Sequence, residues 1–242
     1  VIPLHDENPT RRRAWVTLLL ILLNVGVYFL IQPGATELAA TATFNYQHAA
    51  VPCEITTGAP LSVDELDAAV HGRQLCLKDP SQPPYFPHKH ILLAVLASMF
   101  FHGGIVHLAG NMLFLWIFGN NIEDRLGRVR YLLFYVVAGV VATMTHIALQ
   151  PHSTTPVIGA SGAIAGVMGA YLIWFPNVRV LSLVFVLVAR IRAKWLLLVW
   201  FLSQFFVNPN EGVAWGAHVG GFVFGAIVAL ALGRRRQPAA MS

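Results

Sequence analysis

Four polar residues stand out because each sits in otherwise apolar sequence. Ser161 lies in Gly159-Ala160-Ser161-Gly162, and His218 lies in Ala217-His218-Val219-Gly220-Gly221. His107 and Asn111 lie in His-Leu-Ala-Gly-Asn. A serine hydroxyl is a weak nucleophile until a neighbouring base takes its proton, and imidazole is the usual base. Acyl transfer also needs hydrogen-bond donors for the oxyanion that develops on the carbonyl. The spacing of four puts His107 and Asn111 on one helix face, from which both can donate. Unpaired N–H groups at the head of a helix beginning near Ser161 add donors, and the helix dipole favours negative charge there. The residue types therefore fit a serine nucleophile, a histidine base and an oxyanion site.

The elements that must carry these residues are set by composition. Of 242 residues only 27 are charged (16 Lys or Arg, 11 Asp or Glu), or 11%, whereas 56% are hydrophobic. An ordinary soluble domain has roughly 25% charged residues. Disorder and a normal solvated surface are excluded, and a polytopic membrane protein is expected. The net charge of +5 is carried by too few groups to build a nucleic-acid face. Apolar runs at about 14–32, 105–122, 130–149, 158–175 and 213–232 read as membrane spans. The first resembles a signal peptide where Ala40-Thr41-Ala42 follows it, but its length and the ensuing Pro33-Gly34 favour an uncleaved span. In 178–207, Arg190, Arg192 and Lys194 interrupt the apolar sequence. Three cations at a helix centre would cost roughly 8–10 kcal/mol on insertion scales. Residues 180–188 are therefore read as a short interfacial segment and 193–207 as a shortish fifth span. The expected fold class is all-α, a bundle of six transmembrane helices.

Six spans put both ends of the chain on one side. Thirteen of the 16 basic residues then fall on that side, from Arg11, Arg12 and Arg13 to Arg234, Arg235 and Arg236. The other side holds Arg73, Lys78 and Lys89 with seven acids, including Asp79 and Glu211. The positive-inside rule makes both termini cytoplasmic. The even-numbered spans then run from outside to inside, so His107, Asn111, Ser161 and His218 share one level near the outer face. Small residues let these helices approach: Gly162, Gly166 and Ala170 in one span, and Ala217, Gly221, Gly225 and Ala229 in another, recur every four positions. Packing those stripes together would bring Ser161 towards His218. No Asp or Glu lies in any run, so a Ser-His dyad is expected rather than a triad.

One single membrane domain is expected over 1–235, with a large outer loop at 34–104 and a short cytoplasmic tail at 236–242. Six prolines make much of the loop irregular, with a short helix expected near 63–75. Residues 91–101 are apolar but too short to span, and should lie in the interface or against the bundle. Cys53 and Cys76 both fall in the loop. An even pair on an oxidising face allows a disulfide, and two free thiols are the other reading.

Taken together, these residues resemble the rhomboid family of intramembrane serine proteases in its six-span bacterial form. The resemblance runs through Phe101-His102 with His107 and Asn111, then residues 159–162, then Ala217-His218 with Gly221 and Gly225. Glu123 and Arg125 look like the family's Glu-x-Arg pair in the first cytoplasmic loop, where they are read as a structural charge pair. The resemblance implies that Ser161 is the nucleophile and His218 the general base and acid. It implies an oxyanion hole of His107, Asn111 and the Ser161 backbone N–H. The implied substrate is the transmembrane segment of another protein, cut near the outer face of what would be a bacterial cell membrane. Two positions depart from patterns seen in some members. Leu93 and Ala94 stand where a Trp-Arg pair can occur, and Ala165 stands where a tyrosine can stack on the histidine. His218 must then be held by something else.

Rival chemistries lack their residues. There is no His-Glu-x-x-His for a metalloprotease and no Asp within a span for an aspartyl protease. Residue 163 is Ala, which breaks the Gly-x-Ser-x-Gly of a soluble hydrolase. His88 and His90 resemble part of a metal site without further ligands, and neither metal nor cofactor is expected. A small transporter would need intramembrane carboxylates or broken helices. An inactive relative serving as a membrane binder or chaperone would be expected to lose Ser161 or His218. The expected partners are transmembrane substrates and lipid, with no nucleic acid, and the sequence does not define an oligomeric state.

Overall fold

The expected runs fold as helices in a computed structural model that describes residues 1–34, 37–77, 81–207 and 213–233. Lys78, Asp79, Glu211, the arginines at 234–236 and the tail at 236–242 lie outside the described residues. The chain begins with a strand, β1 (Ile2–Asp6), followed by α1 (Trp15–Leu30). Four short helices come next: α2 (Leu38–His48), α3 (Pro52–Thr57), α4 (Val63–Val70) and α5 (Ile91–Ala97). The main bundle continues through α6 (Ile105–Leu126), α7 (Arg128–Leu149) and α8 (Ser161–Trp174). Strands β2 (Arg179–Val184) and β3 (Leu187–Arg192) precede α9 (Ala193–Ser203), whose end tightens into a 3₁₀ turn at Gln204–Phe206. The last helix is α10 (Trp215–Ala231). By length and composition α6 and α7 can each cross a membrane, while α1, α8, α9 and α10 are shorter apolar helices.

The sheet corrects the all-helical expectation. β1, β2 and β3 form one antiparallel sheet in that order. Residues 180–188 are thus most of a hairpin, not a lone interfacial segment. The physical reason is a period of two. Val180 and Ser182 are buried between exposed Arg179 and half-buried Leu181 and Leu183, while Arg190 and Arg192 are exposed on either side of half-buried Ile191. The arginines that forbid a continuous span suit the open face of a strand.

Small residues bring α8 against both α7 and α10. A methyl group on Gly162 would meet Ala142 Cβ at 2.7 Å, and one on Gly166 would meet Ala138 Cβ at 2.7 Å. On the α10 side, a methyl on Gly221 would collide with the carbonyl oxygen of Gly162, and one on Gly225 with that of Gly166. The four-residue periods therefore mesh, and the two backbones touch. Trp174 Nε1 donates to Ala229 O at 3.0 Å, tying the far ends of the same two helices.

At one end of the bundle, polar groups bind the sheet and the helix ends together. Asp6 is buried, and its Oδ2 accepts from Tyr171 OH at 2.6 Å and Asn121 Nδ2 at 2.7 Å. Burial raises the Asp6 carboxyl above its ordinary range, against the lowering pull of these two donors. Glu123 and Arg125 are here, but in the last turn of α6 rather than in a loop, and each serves a different helix. Glu123 is buried and caps α1, accepting from Val16 N at 3.0 Å, Thr17 N at 2.8 Å and Thr17 Oγ1 at 2.9 Å. These are the otherwise unpaired donors of a helix start. Arg125 donates to Gly233 O at 2.8 Å beyond α10 and lies 4.3 Å over the Trp174 ring.

At the opposite end, residues 37–77 and 81–104 are more helical than their prolines imply. Pro52 opens α3 at the first turn, where a missing N–H costs nothing. Ser62 and Glu65 form a capping box that starts α4. The sulfurs of Cys53 and Cys76 are joined in a disulfide. Beside it, Lys89 and Glu54 form a buried ion pair. Burial pushes the Glu54 carboxyl up and the Lys89 ammonium down, each opposed by its partner. Ser98 links this layer to the bundle: its Oγ accepts from Ala50 N at 2.7 Å, and its carbonyl accepts from Gly159 N at 2.9 Å.

Candidate active site

Ser161 is the first residue of α8, so its side chain leaves the helix where the first-turn N–H groups have no intrahelical partners. His218 lies in the first turn of α10. Because the glycine stripes set α8 and α10 in register, these two helix starts sit side by side. His218 Nε2 is 2.8 Å from Ser161 Oγ, within hydrogen-bond reach. The other ring nitrogen, Nδ1, is 2.6 Å from Gln204 Oε1. The indole of Trp200 lies against the same imidazole, with ring centroids 5.8 Å apart and planes at 40°.

His107 and Asn111 approach from α6. His107 Nδ1 accepts from Gly103 N at 3.4 Å, which leaves Nε2 as the nitrogen that carries hydrogen. Asn111 is buried, and its Nδ2 has no acceptor in reach among the described residues. A buried donor without a partner is costly, and this one is left free to meet an acceptor. Both residues line a cavity of about 680 Å³ that also holds Ser161, His218, Gly104 and Ile158. Phe114, Met168 and Trp200 give it an apolar flank.

Gly159 has φ +122°, in the region where a side chain is strained. A Cβ there would lie 2.9 Å from His107 Cε1 and Nε2 and 3.4 Å from Ser161 Oγ. This glycine keeps clear the space between the serine and the α6 donors. His102 is held through its backbone, donating from N to Gln32 Oε1 at 2.9 Å and accepting at its carbonyl from Gln32 Nε2 at 3.1 Å. Its ring meets that of His107 edge-on at 5.1 Å.

The structure thus groups Ser161, His218, His107, Asn111, Gly159 and Gly162, with Gly221 and Gly225 behind them as packing residues. Glu123 and Arg125 lie at the other end of α6, and Cys53 and Cys76 lie in the helical layer above the bundle. Sequence reasoning missed Gln204 and Trp200. The lone glutamine near the end of an apolar run was the only available signal. Chemically the arrangement offers a serine with an adjacent base and free donors a short distance away, as acyl transfer requires.

Comparison with known proteins gives a family. A model described as the Rhomboid domain matches residues 89–235. Over 139 residues the chain is 32% identical to "Rhomboid protease GluP" of Bacillus subtilis (strain 168), covering 57% of this chain and 26% of that protein. It is 30% identical over 145 residues to "Rhomboid protein 1, mitochondrial" of Saccharomyces cerevisiae, covering 56% of this chain and 40% of that protein. It is 34% identical over 86 residues to "Inactive rhomboid protein 1" of Drosophila melanogaster, covering 34% of this chain and 6% of that protein. The matched part is thus well under half the length of each of these relatives.

Proposed function

The chain belongs to the rhomboid family and is a membrane protein, and on that premise we propose that it is an intramembrane serine protease. Ser161 is the nucleophile, His218 the base, and the substrate is a transmembrane segment of another membrane protein. The observation that carries this reading is the 2.8 Å approach of Ser161 Oγ to His218 Nε2 in the lining of a cavity that also holds Asn111, whose Nδ2 is unpartnered among the described residues. His218 takes the Oγ proton as Oγ attacks the scissile carbonyl. The oxyanion is met by His107 Nε2–H, Asn111 Nδ2–H and the Ser161 N–H. The protonated imidazole then gives its proton to the departing amine, and water releases the acyl group by the same steps in reverse order. The B. subtilis relative, named a rhomboid protease, supports the activity. A relative named inactive shows that membership alone does not establish it, so the reading rests on Ser161 and His218 being present and in contact.

The finer topology belongs to the same proposal. Helices α1, α6, α7, α8, α9 with its 3₁₀ turn, and α10 are the six spans of one domain. The sheet and the Arg11, Arg125 and Arg190 end face the cytoplasm, and residues 34–104 face outward, which suits a Cys53–Cys76 disulfide. The bacterial cell membrane is the setting this topology fits. The site then lies near the outer face, where a substrate helix must unwind to present a peptide bond, so helix-weakening residues in the substrate favour cleavage.

Reconstitution tests it. In liposomes carrying membrane-anchored candidate substrates, the protein should cleave within or beside the transmembrane segment. Ser161→Ala and His218→Ala should each lower turnover by about 10³-fold or more. Equal cleavage by either variant would remove the dyad.

A further inference from the structure

We propose that Gln204 is a positioning residue that fixes the tautomer of His218, an inference that rests on Ser161 and His218 being nucleophile and base. The orientation of the Gln204 amide follows from its neighbours. Its Nε2 lies 3.0 Å from Trp200 O, a backbone carbonyl that can only accept, and 3.2 Å from Ser203 Oγ. The nitrogen is therefore the donor on that side, and the atom 2.6 Å from His218 Nδ1 is the carbonyl oxygen Oε1. An oxygen acceptor there requires hydrogen on Nδ1. A neutral imidazole carries one N–H, so Nε2 is left with its lone pair, and that lone pair faces Ser161 Oγ at 2.8 Å. The other tautomer would point an N–H at the serine and abolish the base.

Gln204 so performs the orienting part of what the third member of a triad does, without a charge. Gln204 is itself buried, and its amide is held at both ends, so little freedom remains to be lost in the reaction. When His218 takes the serine proton, both ring nitrogens donate, and the Gln204 oxygen continues to accept from Nδ1. The same α9 segment supplies Trp200 against the imidazole face. The base is thus oriented by α9 and its 3₁₀ turn, whereas the nucleophile belongs to α8 and the side-chain oxyanion donors to α6.

Two substitutions separate the two ends of the amide. Gln204→Met keeps the size and removes both bonds. Gln204→Glu keeps an acceptor at Nδ1 and removes the donor to Trp200 O. With the full chain in liposomes, Gln204→Met should lower kcat by roughly 10- to 100-fold, a share of what a positioned base contributes, with KM nearly unchanged. Gln204→Glu should restore most of that rate. Equal losses in both variants would mark a merely structural tie to Trp200 and overturn the proposal, as would a wild-type kcat for Gln204→Met. Nitrogen-15 spectra of His218 in the wild-type protein give a second readout that needs no variant. Hydrogen on Nδ1 is expected, and hydrogen on Nε2 in the neutral ring would overturn the proposal. If Ser161→Ala cleaves like wild type, the dyad itself fails, a result distinct from failure of the Gln204 variants alone.

Discussion

At the scale of single residues, the site holds donors and acceptors whose directions are fixed by their neighbours. Gly103 N–H occupies His107 Nδ1 and turns its Nε2 into a donor, while Asn111 Nδ2 stays buried with its hydrogens unused. Because the oxyanion has three donors in this scheme, removing one weakens the reaction without ending it. Asn111→Ala should lower kcat by roughly 10²-fold or less, and unchanged kcat in a steady-state cleavage assay would reduce Asn111 to a helix tie. Ser161, His218, His107 and Asn111 were legible in the sequence because a polar group in an apolar run needs a reason. Gln204 was not. A glutamine at the end of an apolar run reads as the place where the run meets water, and only the turn after α9 aims it back at His218.

At the scale of elements, contact between two backbones decides the geometry. The four-residue periods in α8 and α10 could be read directly, and they mesh as small-residue stripes do in membranes. Gly225→Ala would drive a methyl group into the carbonyl of Gly166, forcing the two helices apart. It should destabilise the protein by about 1–3 kcal/mol and slow cleavage, even though Gly225 is two turns from His218. A thermal unfolding midpoint and a cleavage rate both equal to wild type would show that the stripes do not hold the site. Other elements were misread for identifiable reasons. The hairpin of β2 and β3 is hard to read from sequence because the cost of Arg190 and Arg192 in a membrane helix says nothing about strands. Helix α2 was missed because its sequence carries no strong apolar stripe; none of its residues is buried. The sequence motif places Glu123 in a loop, yet α6 runs on past it so that its carboxylate can close the start of α1.

At the scale of the whole molecule, the layer that holds Ser161 and His218 is framed by two polar assemblies at opposite ends. One is the disulfide-bridged helical layer reaching Gly159 through Ser98, and the other is the sheet docked through Asp6 on α6 and α8. The Cys53–Cys76 pair and a helix near 63–75 can be read as expectations from the sequence, but the link through Ser98 to Gly159 and the docking of Asp6 cannot, because those partners lie far apart along the chain. The Asp6 dock has a pH signature. Burial raises the folded-state carboxyl above its unfolded value, so between the two values the folded chain holds more protons. Stability from this group therefore rises as pH falls through that window and declines as pH rises. Asp6→Asn can still accept from Tyr171 and Asn121 but does not titrate. Relative to Asp6→Asn, the wild-type melting midpoint should rise on acidification from about pH 7 towards the ordinary carboxylate range. A difference independent of pH would contradict the role assigned to Asp6. The central claim, that helix packing turns Ser161 into an activated nucleophile, is tested most directly by covalent labelling. The membrane-reconstituted protein is treated with a serine-directed fluorophosphonate, and the adduct is located by peptide mass spectrometry. The account predicts one adduct, on Ser161, which disappears in His218→Ala. An adduct on a different serine, or undiminished labelling of Ser161 without His218, would contradict it.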